Sequence, residues 1–519
     1  MARLDNTANE TTDLLPSPNG RGCSWTNPRV TLSVLGCVGL ALEYCHRVNL
    51  SVAIVAMVKP INDTSNNDTK PQYDFCSTNN HSSSHEGQTV EGEFAWDSWT
   101  QGLVLGAFFW GYASTNLLGG IASEYFGGKV VLAGGILLSS VCSLVSPVSV
   151  RASYKVFIVV RVLMGAGQGV SFPALNTLLA TWYLPMERSK FTTIVLSGFQ
   201  IGTVIGMLGT GWLSSTGWGW TSSFYVFGVL GVVWVVLWMG VVTERPEEHP
   251  RLRPHHLHKL KEHQHSVKQA ERVAIPWGKV FTSLPFWGLL LMCPGNDFGF
   301  YTMLTELPTY LHDVQHYDLT SNGFLSALPY LLMWLWSLGW AALMDFLGRR
   351  GHISILNVRK LSTAVAIYGP MCGLVICAGL RCAPTVVVVV LCLTGMLNGS
   401  VNSGYLCSPQ DLAPNLAGTL FGVTNTLGAL SGILAPTVTG FILQHSPPQW
   451  SWRIVFLLSS CVYLVSASFY LIVATEKVQP WNQPDCGVKV KDSDFKNSKS
   501  HKRDNNSNSS LYYDNSSLQ

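Results

Sequence analysis

Two residues one helical turn apart set the chemistry of this chain. Arg47 sits past the middle of an apolar run from about 30 to 58, which includes LALEYCHRVNLSVAIVAM at 40–57. Such a run is long enough to cross a bilayer, which takes about 20 residues. A guanidinium there costs roughly 2.5–3.5 kcal/mol on insertion scales and cannot titrate to neutrality. The fold must offset that charge, so Arg47 is expected to face an interior cavity. Glu43 stands at the i,i+4 spacing that lets two helical side chains meet. Two readings follow: a self-neutralised ion pair that holds helices together, or an anion site with Glu43 as the internal substitute for the ligand.

Other groups that could do chemistry lie in further apolar runs. Arg161 is either a second cationic contact or a structural arginine near the membrane face. Asp297 and Glu306 share one run and are costly there unless used. Asp297 suits Na⁺ or H⁺, or else is a satisfied acceptor in a helix break; Glu306 reads as structural. Tyr44, Tyr112 and Tyr301 place hydroxyls on apolar rings, suited to orienting an organic anion or simply to packing.

The elements that must position these groups are membrane helices. Of 519 residues, 47% are apolar and 12% charged, about half the charged share of a soluble protein. Apolar runs near 30–58, 100–123, 130–148, 156–182, 191–216 and 221–242 are followed by six more near 284–311, 322–346, 362–380, 384–407, 416–443 and 453–474. The expected fold is all-α and integral to the membrane, with a six-helix bundle at 29–243, another at 284–475 and both termini in the cytosol. Residues 1–28 form a cytosolic arm with no cleavable signal peptide. In it Glu10, Leu14 and Leu15 fit an acidic dileucine pattern read by sorting adaptors. The loop 59–93 carries acceptor sequons at Asn62, Asn67 and Asn80 and is expected on the lumenal or outer side. The linker 244–283 is basic and therefore cytosolic, and its histidines at 255, 256, 258, 263 and 265 read as a solvated loop rather than a metal site. The tail 476–519 is polar, and disorder is expected.

Several classes are disfavoured. The net charge of +3 comes with no basic stripe interleaved with aromatics, so no nucleic acid partner is expected. Thirteen cysteines show no ligand spacing; Cys76 and Cys382 alone are placed outside the cytosol, where a bridge between them is open. No complete P-loop, GxSxG or HExxH is present, so neither an enzyme nor a metal or organic cofactor is expected.

The halves echo one another: GGIASEYFGGK (119–129) and AALMDFLGRRG (341–351) each join a small-residue helix end, an acid, a Gly turn and bases. Gly198, Gly202, Gly206 and Gly209 in the fifth run answer Gly418, Gly422, Gly428 and Gly432 in the eleventh, and such spacing lets helices approach closely. The paired loops resemble the signature of the major facilitator superfamily over about 29 to 476. Blocks such as RVNLSVAIVAM (47–57), FAWDSWTQGLVLGAFFWGY (94–112), GQGVSFPA (167–174), FYTMLTELPTY (300–310) and QDLAPNLAGTLFGVTNT (410–426) narrow the likeness to its anion:cation symporter branch. That branch holds sialin, the vesicular glutamate and nucleotide transporters and the type I sodium/phosphate cotransporters.

The resemblance implies a twelve-helix, alternating-access transporter of small organic anions or phosphate, driven by H⁺ or Na⁺ and acting as a monomer. It implies that Arg47 binds the substrate, with Tyr301, Arg161, Tyr112 and Gln168 as further contacts. Glu124, Asp345, Arg349 and Arg350 match the cytosolic latch. Spans one, four, seven and ten line the cavity, the fourth through Gly165, Gly167, Gly169 and Pro173. Where the family commonly has a proton-coupling glutamate this chain has Gln168, which leaves Glu43 and Asp297 as coupling candidates. The dileucine arm fits a lysosomal or vesicular carrier; Gln168 and the run FYLIVATEKVQPW fit a plasma-membrane sodium-dependent one.

Overall fold

The computed structural model describes residues 28–59, 92–183, 185–249, 275–351, 353–380 and 383–482. Glu10, Leu14, Leu15, the sequons at Asn62, Asn67 and Asn80, the linker histidines and the Cys76 and Cys382 pair lie outside them. The first half contains α1 (Pro28–Met57), α2 (Ser98–Phe126), α3 (Gly128–Ala152), α4 (Tyr154–Gly169), α5 (Ser171–Trp182), α6 (Pro185–Ser214) and α7 (Thr221–Val241). After the short α8 (Trp277–Phe281), the second half contains α9 (Leu284–Asp313), α10 (Leu319–Arg349), α11 (Ile355–Gly379), α12 (Pro384–Asn398), α13 (Ser408–Leu412), α14 (Ala417–His445) and α15 (Pro448–Val473).

These helices make twelve spans in two sets of six, with α4 and α5 together forming the fourth and α12 and α13 the tenth. Ten of the spans are long and apolar enough to cross a membrane. The other two, α2 and α9, are 29 and 30 residues long but fall short of that apolar measure. In α9 the shortfall comes from Asn296, Asp297 and Glu306 among glycines and two internal prolines. The tenth span is interrupted: regular helix stops at Asn398 and the chain continues as 3₁₀ turns over Gly399–Ser403 and Tyr405–Cys407.

Helix starts follow the expected capping chemistry. Asp97 accepts from the Thr100 amide at 3.2 Å, Asp318 from Ser321 at 3.1 Å and the Ser354 hydroxyl from Asn357 at 3.3 Å. One capping device is duplicated. Just past the sixth span, Glu244 accepts from the backbone of Gly128 at 2.8 Å and Lys129 at 2.9 Å, closing the start of the third span. Just past the twelfth, Glu476 accepts from Leu356 at 2.9 Å, closing the start of the ninth. The two glutamates sit in matching TER (243–245) and TEK (475–477) triplets, a further echo of the halves.

Packing corrects two expectations about glycine. In the first half Gly198, Gly202 and Gly206 do bring α6 onto α1, against Cys37, Ala41 and Cys45. In the second half Gly418 and Gly422 face open space, whereas Gly428 and Gly432 meet Asp297 and Phe109. The fourth-span glycines, expected to line a cavity, instead seat α4 on its neighbours: Gly165 meets Phe108, Gly167 meets Gly135 and Gly169 meets Thr115.

The halves touch unevenly. On the face where α1 ends and α2 begins, Gly102 lies against Pro436 and Gly440, and a Cβ on Gly211 would lie 2.9 Å from the Gly323 Cα. Toward the opposite face the Phe172 and Phe421 rings stand 6.0 Å apart. Glu124, Asp345, Arg349 and Arg350 are all exposed at that face. Among the described residues Asp345, Arg349 and Arg350 make no ion pair, and Arg350 stacks on Phe346 at 4.2 Å. Among the described residues no ion pair from Asp345, Arg349 or Arg350 joins the halves.

Candidate anion site

α1 is the most enclosed of the ten apolar spans, with 78% of its apolar window buried. This enclosure puts Arg47 inside protein rather than lipid, where a guanidinium can persist. The residue is 6% exposed. Its Nη1 donates to the Tyr44 hydroxyl at 3.1 Å and its Nη2 to the Gln168 carboxamide oxygen at 3.4 Å. Its Nε is buried and has no acceptor. The guanidinium carbon lies 4.4 Å from the Tyr44 ring centre, 4.7 Å from Tyr112, 4.8 Å from Phe108 and 6.0 Å from Phe109. Each such contact contributes about 0.5–2 kcal/mol, so ring faces offset the charge without a carboxylate.

Glu43 does not form the expected pair with Arg47. Its carboxylate accepts from the Ser171 hydroxyl, and no ion pair joins it to Arg47. Gln168 bridges the two residues instead, donating to the Glu43 backbone carbonyl at 2.9 Å while accepting from Arg47.

One small space lies away from Arg47. That space, about 20 Å³, lies in the second half among Phe300, Tyr330, Met333, Pro370, Asn398 and Tyr463. It suits one water, and the Tyr330 hydroxyl beside it has no partner. A run of ring contacts links the two places: Phe109 meets Tyr301 at 4.5 Å, Tyr301 meets Phe300 at 5.6 Å and Phe300 meets Tyr330 at 6.0 Å.

Arg161 is 2% exposed and shares the Phe108 ring with Arg47, at 5.4 Å. It donates to the His46 carbonyl at 3.5 Å and to the Met164 sulfur at 3.3 Å, and its Nε is buried without a partner. Asp297 takes a hydrogen bond from Asn296 at 3.2 Å, and Asn296 in turn takes one from Asn398 at 2.9 Å. Glu306 is 4% exposed, with one carboxyl oxygen unpartnered. Sequence reasoning missed Ser171, Phe108 and Phe109 at the site. Ser171 carried one signal, since it follows the glycine-rich end of the fourth run.

A fold of two six-helix halves around an enclosed, arginine-bearing first helix defines a multi-pass membrane protein of the transporter class. Residues 84–436 match the Major Facilitator Superfamily. The chain is 32% identical to human sialin over 489 residues, spanning 93% of this chain and 97% of sialin. It is 34% identical over 390 residues to the chloroplastic sodium-dependent phosphate transport protein 1 of Arabidopsis thaliana, spanning 75% of this chain and 74% of that one. In fold it resembles the inward-facing, occupied crystal structure of a bacterial homologue of the lysosomal transporter Spinster, with a TM-score of 0.61 at 14% identity, covering 88% of this chain and 100% of that one. The chain belongs to the major facilitator superfamily, and within it to the anion:cation symporter branch.

Proposed function

We propose that this protein is a secondary transporter that carries small organic anions across a lysosomal or vesicular membrane by alternating access. Arg47 holds the carboxylate or phosphate of the cargo. The observation that carries this reading is the buried Arg47 Nε–H with no acceptor, on a guanidinium whose hydrogen-bond partners, Tyr44 and Gln168, are neutral. A buried donor left without an acceptor costs about 1–3 kcal/mol, which an entering anion recovers. Tyr44, Tyr112 and Gln168 orient the cargo, Arg161 strengthens the field from behind Phe108, and Tyr301 lies against Phe109 on the opposite half. H⁺ or Na⁺ is the coupling ion, with Glu43 and Asp297 as the carboxylates placed to carry it. The similarity to sialin and the dileucine arm favour the lysosomal or vesicular setting.

A second reading, a plasma-membrane sodium-dependent phosphate or organic-anion cotransporter, is favoured by Gln168, whose amide cannot exchange a proton, and by the plant phosphate-transport relative. One experiment separates the two. The purified protein in proteoliposomes is offered inorganic phosphate, glutamate and glucuronate under separately imposed pH, Na⁺ and voltage gradients. Uptake that Arg47→Ala abolishes supports the anion site, and Na⁺-driven uptake of inorganic phosphate in preference to glutamate and glucuronate favours the second reading. Normal uptake by Arg47→Ala overturns both.

A further inference from the structure

We infer that Glu43 is an internal competitor for the anion at Arg47, parked on Ser171 in this conformation and released toward Arg47 when the fourth span flexes at Val170. This rests on the proposed role of Arg47. The fourth span is two helices, α4 ending at Gly169 and α5 beginning at Ser171, with Val170 between them. The contacts of the site divide at that break. Gln168, on the α4 side, holds both Arg47 and the Glu43 backbone. Ser171, the first residue of α5, holds the Glu43 carboxylate. A change of angle at Val170 therefore moves the carboxylate's anchor while the guanidinium's anchor stays with α1.

Once free of Ser171, the Glu43 carboxyl is within reach of Arg47 through side-chain rotation alone, because the two are one turn apart on the same helix. Among the described residues no other carboxylate is placed to do this: Asp297, on α9, is engaged with Asn296, and Glu306 lies more than two turns beyond it. The other charged group at the site, Arg161, is turned to the His46 carbonyl and the Met164 sulfur. Delivery of Glu43 to Arg47 displaces a bound anion, and its return to Ser171 reopens the site. The carrier thus alternates between an external and an internal anion on one guanidinium.

The test uses uptake of inorganic phosphate and glucuronate by the full-length protein in proteoliposomes. Glu43→Gln removes the competitor and is expected to lower KM by about fivefold or more, with a matching loss of kcat as release slows. Ser171→Ala removes the parking place and is expected to raise KM by about fivefold or more. In the double variant Ser171→Ala is expected to have no further effect, since there is no carboxylate left to release. An unchanged or lower KM in Ser171→Ala alone overturns the inference, as does an equal rise in KM when Ser171→Ala is added to Glu43→Gln. Either result leaves the Arg47 reading standing, because that reading fails only if Arg47→Ala transports normally.

Discussion

Gln168 is the hinge pin between Arg47 and the fourth span: its carboxamide oxygen accepts from Arg47 Nη2 at 3.4 Å while its nitrogen donates to the Glu43 carbonyl at 2.9 Å. Only an amide satisfies both neighbours at once. In Gln168→Glu a carboxylate can pair with the guanidinium directly, so uptake is expected to fall at neutral pH through a higher KM. It should recover as the pH is lowered, because a protonated acid releases Arg47. Uptake measured across pH in proteoliposomes checks this, and a pH profile identical to the parent protein's would argue against it.

The planar fork of Arg47 sits among four ring faces and keeps its Nε–H free for a ligand. Arg47→Lys keeps the charge but loses the fork and the stacking. Loss of a charge-assisted hydrogen bond of about 1.5–3 kcal/mol predicts a roughly 10- to 100-fold drop in kcat/KM. Initial uptake rates over a range of anion concentrations measure it.

Asp297 on α9 lies so close to Gly428 on α14 that a Cβ there would overlap its carboxylate oxygen. Gly428→Ala is expected to destabilise the protein by about 1–3 kcal/mol through overpacking. The added truncation Asp297→Ala should restore much of that loss, whereas Asp297→Asn, of the same size, should not. Thermal unfolding of the purified variants in detergent distinguishes them.

The duplicated caps give a graded prediction. Glu244 closes two amides at the start of α3, and Glu476 one at the start of α11. Loss of a cap costs about 0.5–2 kcal/mol, so Glu244→Ala should lower the melting temperature more than Glu476→Ala. Equal effects would show that the bonded amides do not set the stability.

Asp318 caps α10 from outside the span, and the hydrogen bonds it accepts from Ser321 hold its carboxyl below the usual aspartate range. A carboxyl whose folded value lies below its unfolded one stabilises the fold above the unfolded value, and that contribution is lost as pH falls through the folded one. Asp318→Asn should therefore show a flatter melting temperature against pH at the acid end than the parent protein. Parallel curves would remove Asp318 from the acid response.

How much of this was legible beforehand varies residue by residue. Hydropathy marked twelve runs because each span must present apolar surface to lipid along its whole length, a local requirement that composition alone records. Gly395, Gly399 and Gly404 mark the tenth run as a broken span, but what holds the break was not legible: regular helix ends at Asn398, and six residues on Gly404 fits tightly against Thr363 of α11, a partner the run does not contain. The TER and TEK triplets were visible but unread, because nothing local says that Glu244 and Glu476 bend back to helices more than 100 residues away.

The sequence by itself determined that a permanent positive charge lies in the first span and needs an interior partner, since the cost of a guanidinium in hydrocarbon holds whatever its neighbours are. Tertiary structure decided what that partner is. Helical spacing nominated Glu43, yet side chains reaching α1 from α4 and α5 put Gln168 at Arg47 and Ser171 at Glu43, separating two residues that the helix alone would have joined. Spacing along one helix fixes which side chains can meet, while the groups offered by neighbouring helices fix which of them do.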